Sequence, residues 1–352
     1  MSIQSDSATR PCQIVITGGA GFLGQRLARA LLAQGKLSLA GAPPIEIAGI
    51  KLVDRVVPPG DLLADARVTS LTGDLNALLE QTDASAQVVD QDTAIVFHLA
   101  AAVSGECEAD FDLGMRSNFA ATLALLQACR ALQTRPMLVF ASSLAVFGNS
   151  PQQPLPETLD DNTLPTPQNS YGIQKFIGEQ LVADFTRKDF IQGRNVRLMT
   201  VSVRPGKPNG AASSFLSGMI REPLAGVRGS CPVPPDTAVA LSSPARTVEG
   251  LLCAAQTSDL LWGARTALNL PSVRTTVGEM ASALGRVAGS AATGLIDWTP
   301  DLAIAGIVSN WPANIRATRA SRLGLLPDPD FESIIRAYVR ENPNAVKFNI
   351  SA

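Results

Sequence analysis

The residues that can do chemistry begin with a tyrosine and a lysine four positions apart, Tyr171 and Lys175. Side chains at positions i and i+4 of a helix lie on one face, so this pair can act together. A free tyrosine is a poor base at neutral pH because its pKa is about 10, and a neighbouring ammonium favours the phenolate. Ser143 can hydrogen-bond the same substrate oxygen. The three residues predict removal of a hydroxyl proton as a hydride leaves its carbon; a surface contact is the alternative for the Tyr–Lys pair.

A glycine-rich turn is the second chemical feature. Gly18, Gly21 and Gly24 follow an apolar run over 13–17 and open a helix predicted over 22–33. Strand, glycine turn and helix in this order predict a dinucleotide site. Gly18 permits the tight turn, Gly21 lets backbone approach a pyrophosphate, and Gly24 lets the helix pack on the strand. The free N–H groups of the helix then face the anion, whereas a loop that only turns the chain is the alternative.

An acidic residue ends the next apolar run. Asp54 follows the run 49–53, where a dinucleotide fold uses a carboxylate to bind the ribose hydroxyls. Glu46 is the competing acid, but it lies within an alternating run. Arg55 could instead meet a 2′-phosphate, and a solvated turn residue is the plain alternative for Asp54.

A second carboxylate follows the third predicted strand. Asp74 could accept a hydrogen bond from the adenine amino group. It could also cap the helix that begins at Leu75, because aspartate is a good helix cap. Both roles can hold at once.

Small residues after the fourth strand, from Ala100 onward, would let a flat cofactor lie close to backbone.

The elements that must position these residues alternate along the chain. Helices are predicted between strands at 13–17, 49–53, 67–71, 93–97 and 137–141. This alternation predicts an α/β fold with a doubly wound parallel sheet, whose ligands bind outside the carboxyl ends of the strands. Gly18, Asp54, Ala100 and Ser143 all fall at those ends. Further predicted elements are a helix over 108–132, a sixth strand over 196–204, helices near 215–220, 243–256, 276–287 and 330–341, and strands near 267–270 and 294–298.

Composition excludes several classes of protein. The 352 residues are 46% hydrophobic and 17% charged with a net charge of -2, which predicts a globular chain of one or two domains. The absence of a long basic run argues against nucleic acid as a partner, and the absence of a long apolar run argues against a membrane. His98 is the single histidine, so neither a Ser-His-Asp hydrolase nor a histidine metal site is expected. We interpret His98 as a core or loop residue.

Cysteine usage and the start of the chain bear on the compartment. The five cysteines form no C-x-x-C motif, which indicates free thiols in a reducing compartment. The first eleven residues are polar and do not resemble a signal peptide. We therefore expect a cytoplasmic protein.

Five segments in order resemble the extended short-chain dehydrogenase/reductases: T-G-G-A-G-F-L-G, G-D-L, H-L-A-A, S-S-L-A-V-F-G and Y-G-I-Q-K, within residues 13–205. The resemblance implies a Rossmann domain over 1–205 and a smaller α/β substrate domain over 206–352, some of which returns to the Rossmann domain. It also implies that two copies of the chain form a homodimer. The resemblance further implies that the catalytic residues are Ser143, Tyr171 and Lys175, with Asn118 as a support residue. The cofactor is expected to be NAD, bound by Gly18, Gly21, Phe22, Leu23, Asp54, Asp74, Leu75, Ala100, Ala101, Tyr171 and Lys175.

The continuation after the sixth strand, R-P-G-K-P-N-G-A-A-S-S-F, resembles one branch of this family. That branch oxidises the C2 hydroxyl of D-erythronate, a four-carbon sugar acid, to the 2-oxo acid. A small sugar acid needs a cation for its carboxylate and several donors of hydroxyl scale. The predicted substrate-binding residues are Ser104, Ser143, Tyr171, Arg204, Asn209, Ser213 and Arg221. Each of the two arginines could instead be a structural residue at a helix end or an interface.

Two other functions stay open on sequence alone. A sugar-nucleotide epimerase uses the same fold, but between Pro205 and Gly229 the chain carries one aromatic residue, Phe215, which favours a small anionic substrate. A dehydratase of this family needs an acidic pair where Leu144 and Ala145 stand. A redox-sensing binding protein would need no turnover, and the intact catalytic residues count against it.

Overall fold

The predicted cofactor turn lies in the largest sheet of the chain. A computed structural model describes residues 12–81, 87–206, 210–348 and 350. Within those residues the strands are β1 (Cys12–Thr17), β2 (Lys36–Leu37), β3 (Ile45–Asp54), β4 (Val68–Thr72), β5 (Thr93–His98), β6 (Met137–Ser143), β7 (Gln192–Leu198), β8 (Thr200–Val201), β9 (Gly229–Cys231), β10 (Ala238–Ser242), β11 (Leu268–Asn269), β12 (Val273–Thr276) and β13 (Ile296–Trp298).

Helices cover both faces of that sheet and build most of the second half. Over the same described residues the α-helices are α1 (Phe22–Gln34), α2 (Gly60–Leu63), α3 (Leu75–Leu79), α4 (Ser104–Ala109), α5 (Phe111–Gly114), α6 (Ala121–Ala131), α7 (Ser170–Arg187), α8 (Phe215–Leu224), α9 (Pro244–Gln256), α10 (Asp259–Trp262), α11 (Val277–Ala288), α12 (Ser290–Thr293), α13 (Leu302–Val308), α14 (Thr318–Arg322) and α15 (Phe331–Glu341). Short 3-10 segments follow β6, precede α8 and follow α15. No described helix has both the length and the apolar character that a membrane crossing requires.

The main sheet has the predicted doubly wound topology. Its parallel strands lie in the order β4-β3-β1-β5-β6-β7-β11, and β2 pairs antiparallel with the start of β3. The chain winds outward in both directions from β1, so the order reverses between β1 and β5. The backbone N–H of Leu99 bonds the carbonyl of Thr17 at 3.1 Å and ties the two strands together at this point. Ligands of such sheets bind at this switch point.

Alternate residues of the strands pack on opposite faces of the sheet. In β1, Ile14 and Ile16 join the core beneath α1, whereas Val15 joins the core on the other face. Both faces are buried because crossover helices cover them, as expected for a parallel sheet. Because successive side chains point to opposite faces and both faces are buried, the strands of this sheet are apolar throughout.

The second half of the chain contributes to two cores. Leu251 of α9 and Leu268 of β11 belong to the core of the main sheet, and β11 extends that sheet beside β7. By contrast, Met219 of α8, Leu284 of α11 and Ile335 of α15 lie in a separate core. Segments of the second half therefore pack on the Rossmann sheet, while the domain boundary at 205 stays a prediction.

The sixth strand begins and ends earlier than predicted. The prediction of 196–204 is wrong, because β7 ends at Leu198 and β8 pairs with β10 of a separate small sheet. Sequence reasoning missed the start of β7 because Arg194 and Asn195 are polar. Both are buried: the first pairs with Asp259, and the second donates to the carbonyl of Glu179.

The predicted helix over 108–132 is a chain of shorter pieces. It begins earlier, at Ser104, and is broken at Asp110, whose side chain caps α5 by accepting from the N–H of Leu113 at 2.8 Å. A π-helical segment, Met115–Ala120, then leads into α6. π segments of this kind recur at functional sites, and this one contains Asn118.

Glycines let α7 lie close to the end of β6. A Cβ on Gly172 would lie 2.1 Å from the carbonyl oxygen of Ala145, and one on Gly178 would lie 2.5 Å from the ring of Phe140. Neither distance is compatible with a side chain. This close packing brings the helix that carries Tyr171 and Lys175 to the strand that ends in Ser143.

Gly172→Ala should lower the free energy of unfolding by about 1–3 kcal/mol, because the added methyl group meets fixed backbone. Chemical denaturation measures this change. Gly306→Ala in α13 is the matched control, since nothing lies within 4 Å of its added Cβ. The free energy of unfolding of this control should rise by about 0.4–1 kcal/mol, because alanine restricts the unfolded chain more than glycine does. Equal stability of the two variants would contradict the close contact of α7 with β6.

Candidate active site

A cleft opens at the carboxyl ends of β1, β3, β5 and β6. Its volume is about 460 Å³, which is within the range of small-molecule sites. Every predicted cofactor residue lines it, as do most of the predicted substrate residues. The lining includes Gly18, Gly21, Phe22, Leu23, Asp54, Asp74, Leu75, Ala100, Ala101, Ser104, Ser143, Tyr171, Lys175, Arg204 and Ser213.

The glycine turn has the tight geometry that its spacing predicts. Gly18 has a φ of +71° and donates its N–H to the carbonyl of Val53 at 2.8 Å. A Cβ there would lie 2.8 Å from the backbone N of Ala100. A Cβ on Gly24 would lie 2.2 Å from the carbonyl oxygen of Gly18, so helix α1 can approach only without that side chain. Gly21 stands just before α1, where the free N–H groups of its first turn begin.

Asp54 is fixed beside this turn. One carboxylate oxygen accepts from the backbone N–H of Ala20 at 3.0 Å, and Asp54 itself ends β3 at the edge of the cleft. Glu46, the competing acid, lies near the start of the same strand and pairs with Lys36 at 3.0 Å. Glu46 is the second residue of this ten-residue strand and Asp54 is the last, so the competing acid lies at the end away from the cleft.

Asp74 caps a short helix and also lines the cleft. Its side chain accepts from the N–H of Asn76 at 3.0 Å and from that of Ala77 at 3.4 Å at the start of α3. The capping role predicted from sequence is therefore present. The adenine contact stays a prediction, which the position of Asp74 in the cleft permits.

His98 is part of the core beneath the cleft. Its Nδ1 lies 2.6 Å from the hydroxyl of Thr17 and its Nε2 lies 2.9 Å from the hydroxyl of Thr122. Burial, and to a smaller extent the charge of Lys175, lowers the pKa of His98 to about 3. The ring is thus neutral and joins β5 to two neighbouring elements, in agreement with the structural interpretation of the only histidine.

The three predicted catalytic side chains meet in the cleft. The ammonium of Lys175 is buried, donates to the carbonyl of Ala141 at 2.9 Å, and lies 5.7 Å from the centre of the Tyr171 ring. Ser143 lines the same wall and hydrogen-bonds the tyrosine. Burial lowers the pKa of Lys175 to about 8, against the charges of Cys107 and Glu179.

Arg204 is a further cation that acts on the phenol. Burial raises the pKa of Tyr171 to about 12, and the hydrogen bond from Ser143 works against this rise. The positive charge of Arg204 also lowers the pKa of Tyr171. The ammonium of Lys175 is bound to the strand backbone, and both cations line the cleft.

Asn118 lies behind the cleft and not in it. It is buried in the π segment, where its amide accepts from the N–H of Ala102 at 2.8 Å and donates to the carbonyl of the same residue at 3.1 Å. It also donates to the side chain of Gln174 at 2.8 Å. These bonds fix the loop after β5 against α7, so Asn118 positions residues next to Lys175 without contacting it in this structure.

The two predicted arginines occupy different places. Arg204 lines the cleft, and burial lowers the pKa of its guanidinium, with a further lowering from the charge of Arg221. The structure does not bring Arg221 to the cleft. Its guanidinium donates to the carbonyl of Arg204 at 2.7 Å and pairs with Glu222. Arg221, which lies in α8, therefore holds the backbone of Arg204.

Small polar residues complete the end of the cleft near Arg204. Ser213 lines it, and the hydroxyl of Ser104 accepts from the N–H of Ala212 at 3.2 Å. Asn209 lies outside the described residues. Trp311 also lines the cleft. The sequence predicts a core or lid residue there, and Trp311 is not among the predicted cofactor or substrate residues. No motif or periodicity surrounds that residue, so only the folded chain could show its position.

Comparisons with known proteins agree with this site. The family described as the NAD dependent epimerase/dehydratase family matches residues 14–237. D-erythronate dehydrogenase from Cupriavidus necator is 48% identical over 93% of this chain and 98% of its own length. The protein of the same name from Haemophilus influenzae is 41% identical, also over 93% and 98%.

A solved structure shows the same fold over nearly the whole chain. It is described as a nucleoside-diphosphate-sugar epimerase from Agrobacterium tumefaciens, with 35% identity, a TM-score of 0.83 and coverage of 98% of both chains. The dehydrogenases of higher identity favour oxidation over epimerisation. With a family match over more than half of its length and a cleft built from the motifs predicted to bind a dinucleotide, the chain belongs to the NAD dependent epimerase/dehydratase family.

Proposed function

We propose that this chain oxidises the C2 hydroxyl of D-erythronate, or of a similar short sugar acid, to the 2-oxo acid with NAD. The observation that carries the proposal is the meeting of Ser143, Tyr171 and Lys175 in one cleft with Arg204 beside them. The two relatives called D-erythronate dehydrogenase support the same substrate. The epimerase alternative is not favoured.

The nucleotide end of the cleft fits a dinucleotide. The backbone of Gly18 and that of Ala100 approach too closely to admit a side chain, which leaves bare backbone for the cofactor. The first turn of α1, after Gly21, offers free N–H groups to a pyrophosphate. Asp54 would accept from the ribose hydroxyls and Asp74 would lie toward the base. NAD, when bound there, supplies the hydride acceptor of the reaction.

The chain itself moves the proton and holds the acid. The hydroxyl of Ser143 holds the C2 hydroxyl of the substrate. The phenolate form of Tyr171 takes the proton of that hydroxyl as the hydrogen on C2 leaves as a hydride. Lys175 keeps a positive charge behind the phenol. Arg204 pairs with the carboxylate of the substrate by charge-assisted hydrogen bonds. The same guanidinium lowers the pKa of Tyr171, so substrate binding and proton removal share one cation.

The assembly and compartment predicted from sequence extend the proposal. We propose a homodimer in the cytoplasm. Phe111 of α5 is 61% exposed and Ile173 of α7 is 46% exposed, which gives these helices apolar side chains for a second copy to cover. All five cysteines are free thiols, as expected in a reducing compartment.

The purified protein should release NADH into solution when it is given NAD and D-erythronate, in proportion to the acid consumed, because a dehydrogenase must exchange its cofactor at each turnover. Absorbance at the NADH band and analysis of the 2-oxo product measure this. A panel of four- to six-carbon sugar acids tests related substrates. Epimerised UDP-sugar without free NADH would contradict the proposal.

Tyr171→Phe is the control for the chemical step. It removes the hydroxyl alone, so the variant should fold and bind NAD but lose most of its turnover. Near-normal turnover in this variant would show that another group removes the proton.

Arg204→Ala should raise the KM for D-erythronate tenfold or more, the scale of one charge-assisted hydrogen bond at about 1.5–3 kcal/mol. It should also move the acidic limb of the kcat/KM profile to higher pH. The sign follows because the charge of Arg204 lowers the pKa of Tyr171, so its loss raises that pKa and leaves less phenolate at a given pH. Steady-state kinetics across pH measures both effects.

Arg221→Ala tests the different position of the second arginine. Its guanidinium contacts the backbone of Arg204 and the carboxylate of Glu222, so the variant should lose thermal stability. An unchanged KM in Arg204→Ala together with a raised KM in Arg221→Ala would reverse the assignment.

The enzyme should prefer NAD to NADP, because the carboxylate of Asp54 accepts from ribose hydroxyls and repels a 2′-phosphate. The ratio of kcat/KM values for the two cofactors measures the preference. Asp54→Asn keeps the shape of the side chain and removes its charge. The variant should therefore show a lower ratio of kcat/KM for NAD to kcat/KM for NADP than the wild type. Equal or better use of NADP by the wild type would assign the site to Arg55, which also lines the cleft.

A further inference from the structure

The single histidine of the chain has no role in the proposed proton transfer, yet both of its ring nitrogens are paired. His98 is the last residue of β5, and its ring is buried beneath the cleft. Its Nδ1 lies 2.6 Å from the hydroxyl of Thr17, and its Nε2 lies 2.9 Å from the hydroxyl of Thr122. A hydroxyl can donate or accept. The direction of both bonds therefore depends on which ring nitrogen carries the proton.

The hydroxyl of Thr122 determines that direction. It donates its hydrogen to the carbonyl of Asn118 at 2.7 Å. Because a hydroxyl has only one hydrogen, Thr122 must accept from His98, so Nε2 is the protonated nitrogen. Burial lowers the pKa of His98 to about 3, which keeps the ring neutral and leaves Nδ1 without a proton. Nδ1 therefore accepts from the hydroxyl of Thr17.

The result is a chain of hydrogen bonds with one direction, from the cleft to the π segment. It begins where the N–H of Ala100 donates to the hydroxyl of Thr17 at 3.3 Å. Thr17 donates to His98, which donates to Thr122. The chain ends at the carbonyl of Asn118. Buried networks in which every member is satisfied make their surroundings rigid.

This chain holds the loop after β5 at one point, and the side chain of Asn118 holds it at another. The chain fixes the N–H of Ala100, while the amide of Asn118 bonds both the N–H and the carbonyl of Ala102. The N–H of Ala101, between them, is bonded to no described residue and lines the cleft. The loop is thus held on both sides of a backbone donor that remains available to a ligand.

The loop has little freedom to move toward the glycine turn. A Cβ on Gly18 would lie 2.8 Å from the backbone N of Ala100, so the two backbones are already in close contact. Both residues line the nucleotide end of the cleft. A small displacement of Ala100 would therefore change the space in which a dinucleotide fits.

We propose that His98, held in its Nε2-protonated form between Thr17 and Thr122, is a positioning residue that fixes the loop of Ala100 to Ala102 for the dinucleotide. The inference rests on the proposed function for its cofactor, and not for its sugar acid. His98 itself is placed in the core and acts through the loop. Loss of the chain weakens cofactor binding and leaves the site of the acid unchanged.

The tautomer of His98 can be measured directly because the chain has no other histidine. NMR of protein made with isotope-labelled histidine should show one protonated ring nitrogen, Nε2, and one bare ring nitrogen, Nδ1. The signals should not titrate between about pH 5 and 8, where an exposed histidine changes its charge. A proton on Nδ1, or titration within that range, would overturn the inference.

Thr122→Val tests the effect on the cofactor, because it removes the acceptor of Nε2 and keeps a side chain of similar shape. The dissociation constant for NADH, measured by fluorescence titration, should rise about tenfold, which corresponds to about 1.4 kcal/mol. The KM for D-erythronate at saturating NAD should stay within about twofold, since the acid is held by other residues.

Thr247→Val is the matched control. Thr247 in α9 is also buried, and its hydroxyl donates to the carbonyl of Ser243, four residues earlier, at 2.9 Å. It lies outside the cleft lining. Both variants should lose thermal stability, because each loses a buried hydrogen bond within a helix. Only Thr122→Val should weaken the binding of NADH.

The outcomes separate this inference from the proposed function. Equal dissociation constants for NADH in the two variants would overturn the inference, since a loss of stability alone indicates a purely structural role. A wild type that binds NADH but oxidises none of the sugar acids would contradict the proposed reaction, while a tenfold difference between the variants would still support the inference. A wild type that does not bind NADH would overturn both.

Discussion

A buried ion pair beneath α7, the helix that carries Tyr171 and Lys175, holds the candidate active site together. Both oxygens of Glu179 in α7 accept from the guanidinium of Arg197 in β7, at 2.8 and 2.7 Å, and the hydroxyl of Ser142 donates to the same carboxylate at 2.5 Å. Glu179 lies one helical turn after Lys175, and Ser142 precedes Ser143. Removing one partner of such a pair costs about 3–5 kcal/mol because the other charge stays buried. The network therefore fixes α7 relative to the two strands that it crosses.

Burial then sets the chemistry of the residues that this network positions. Desolvation raises the pKa of Tyr171 to about 12 and lowers that of Lys175 to about 8, so both groups favour their neutral forms more than they would in water. Charge is supplied from the second half of the chain by Arg204, whose backbone Arg221 holds.

The second half contributes to the cleft without forming an isolated lobe. Leu251 and Leu268 belong to the core of the main sheet, while Arg204, Ser213 and Trp311 reach the cleft from the connections between the two cores. This arrangement gives a short, polar site at the substrate end. It suits a compact acid, and it agrees with the relatives called D-erythronate dehydrogenase.

The sequence by itself determined the parts in which local spacing dictates geometry. Gly18 must turn the chain at positive φ, and Tyr171 and Lys175 share a helical face. Apolar strands that alternate with helices along the chain form a parallel sheet. The tertiary structure decided the features that depend on contacts between residues far apart in the sequence. β7 begins among polar residues because Arg194 pairs with Asp259 and Asn195 donates to the backbone of α7. Arg221 holds the backbone of Arg204, the charge of Arg204 lowers the pKa of Tyr171, and Trp311 lines the cleft. Each of these relations joins residues that no local pattern connects.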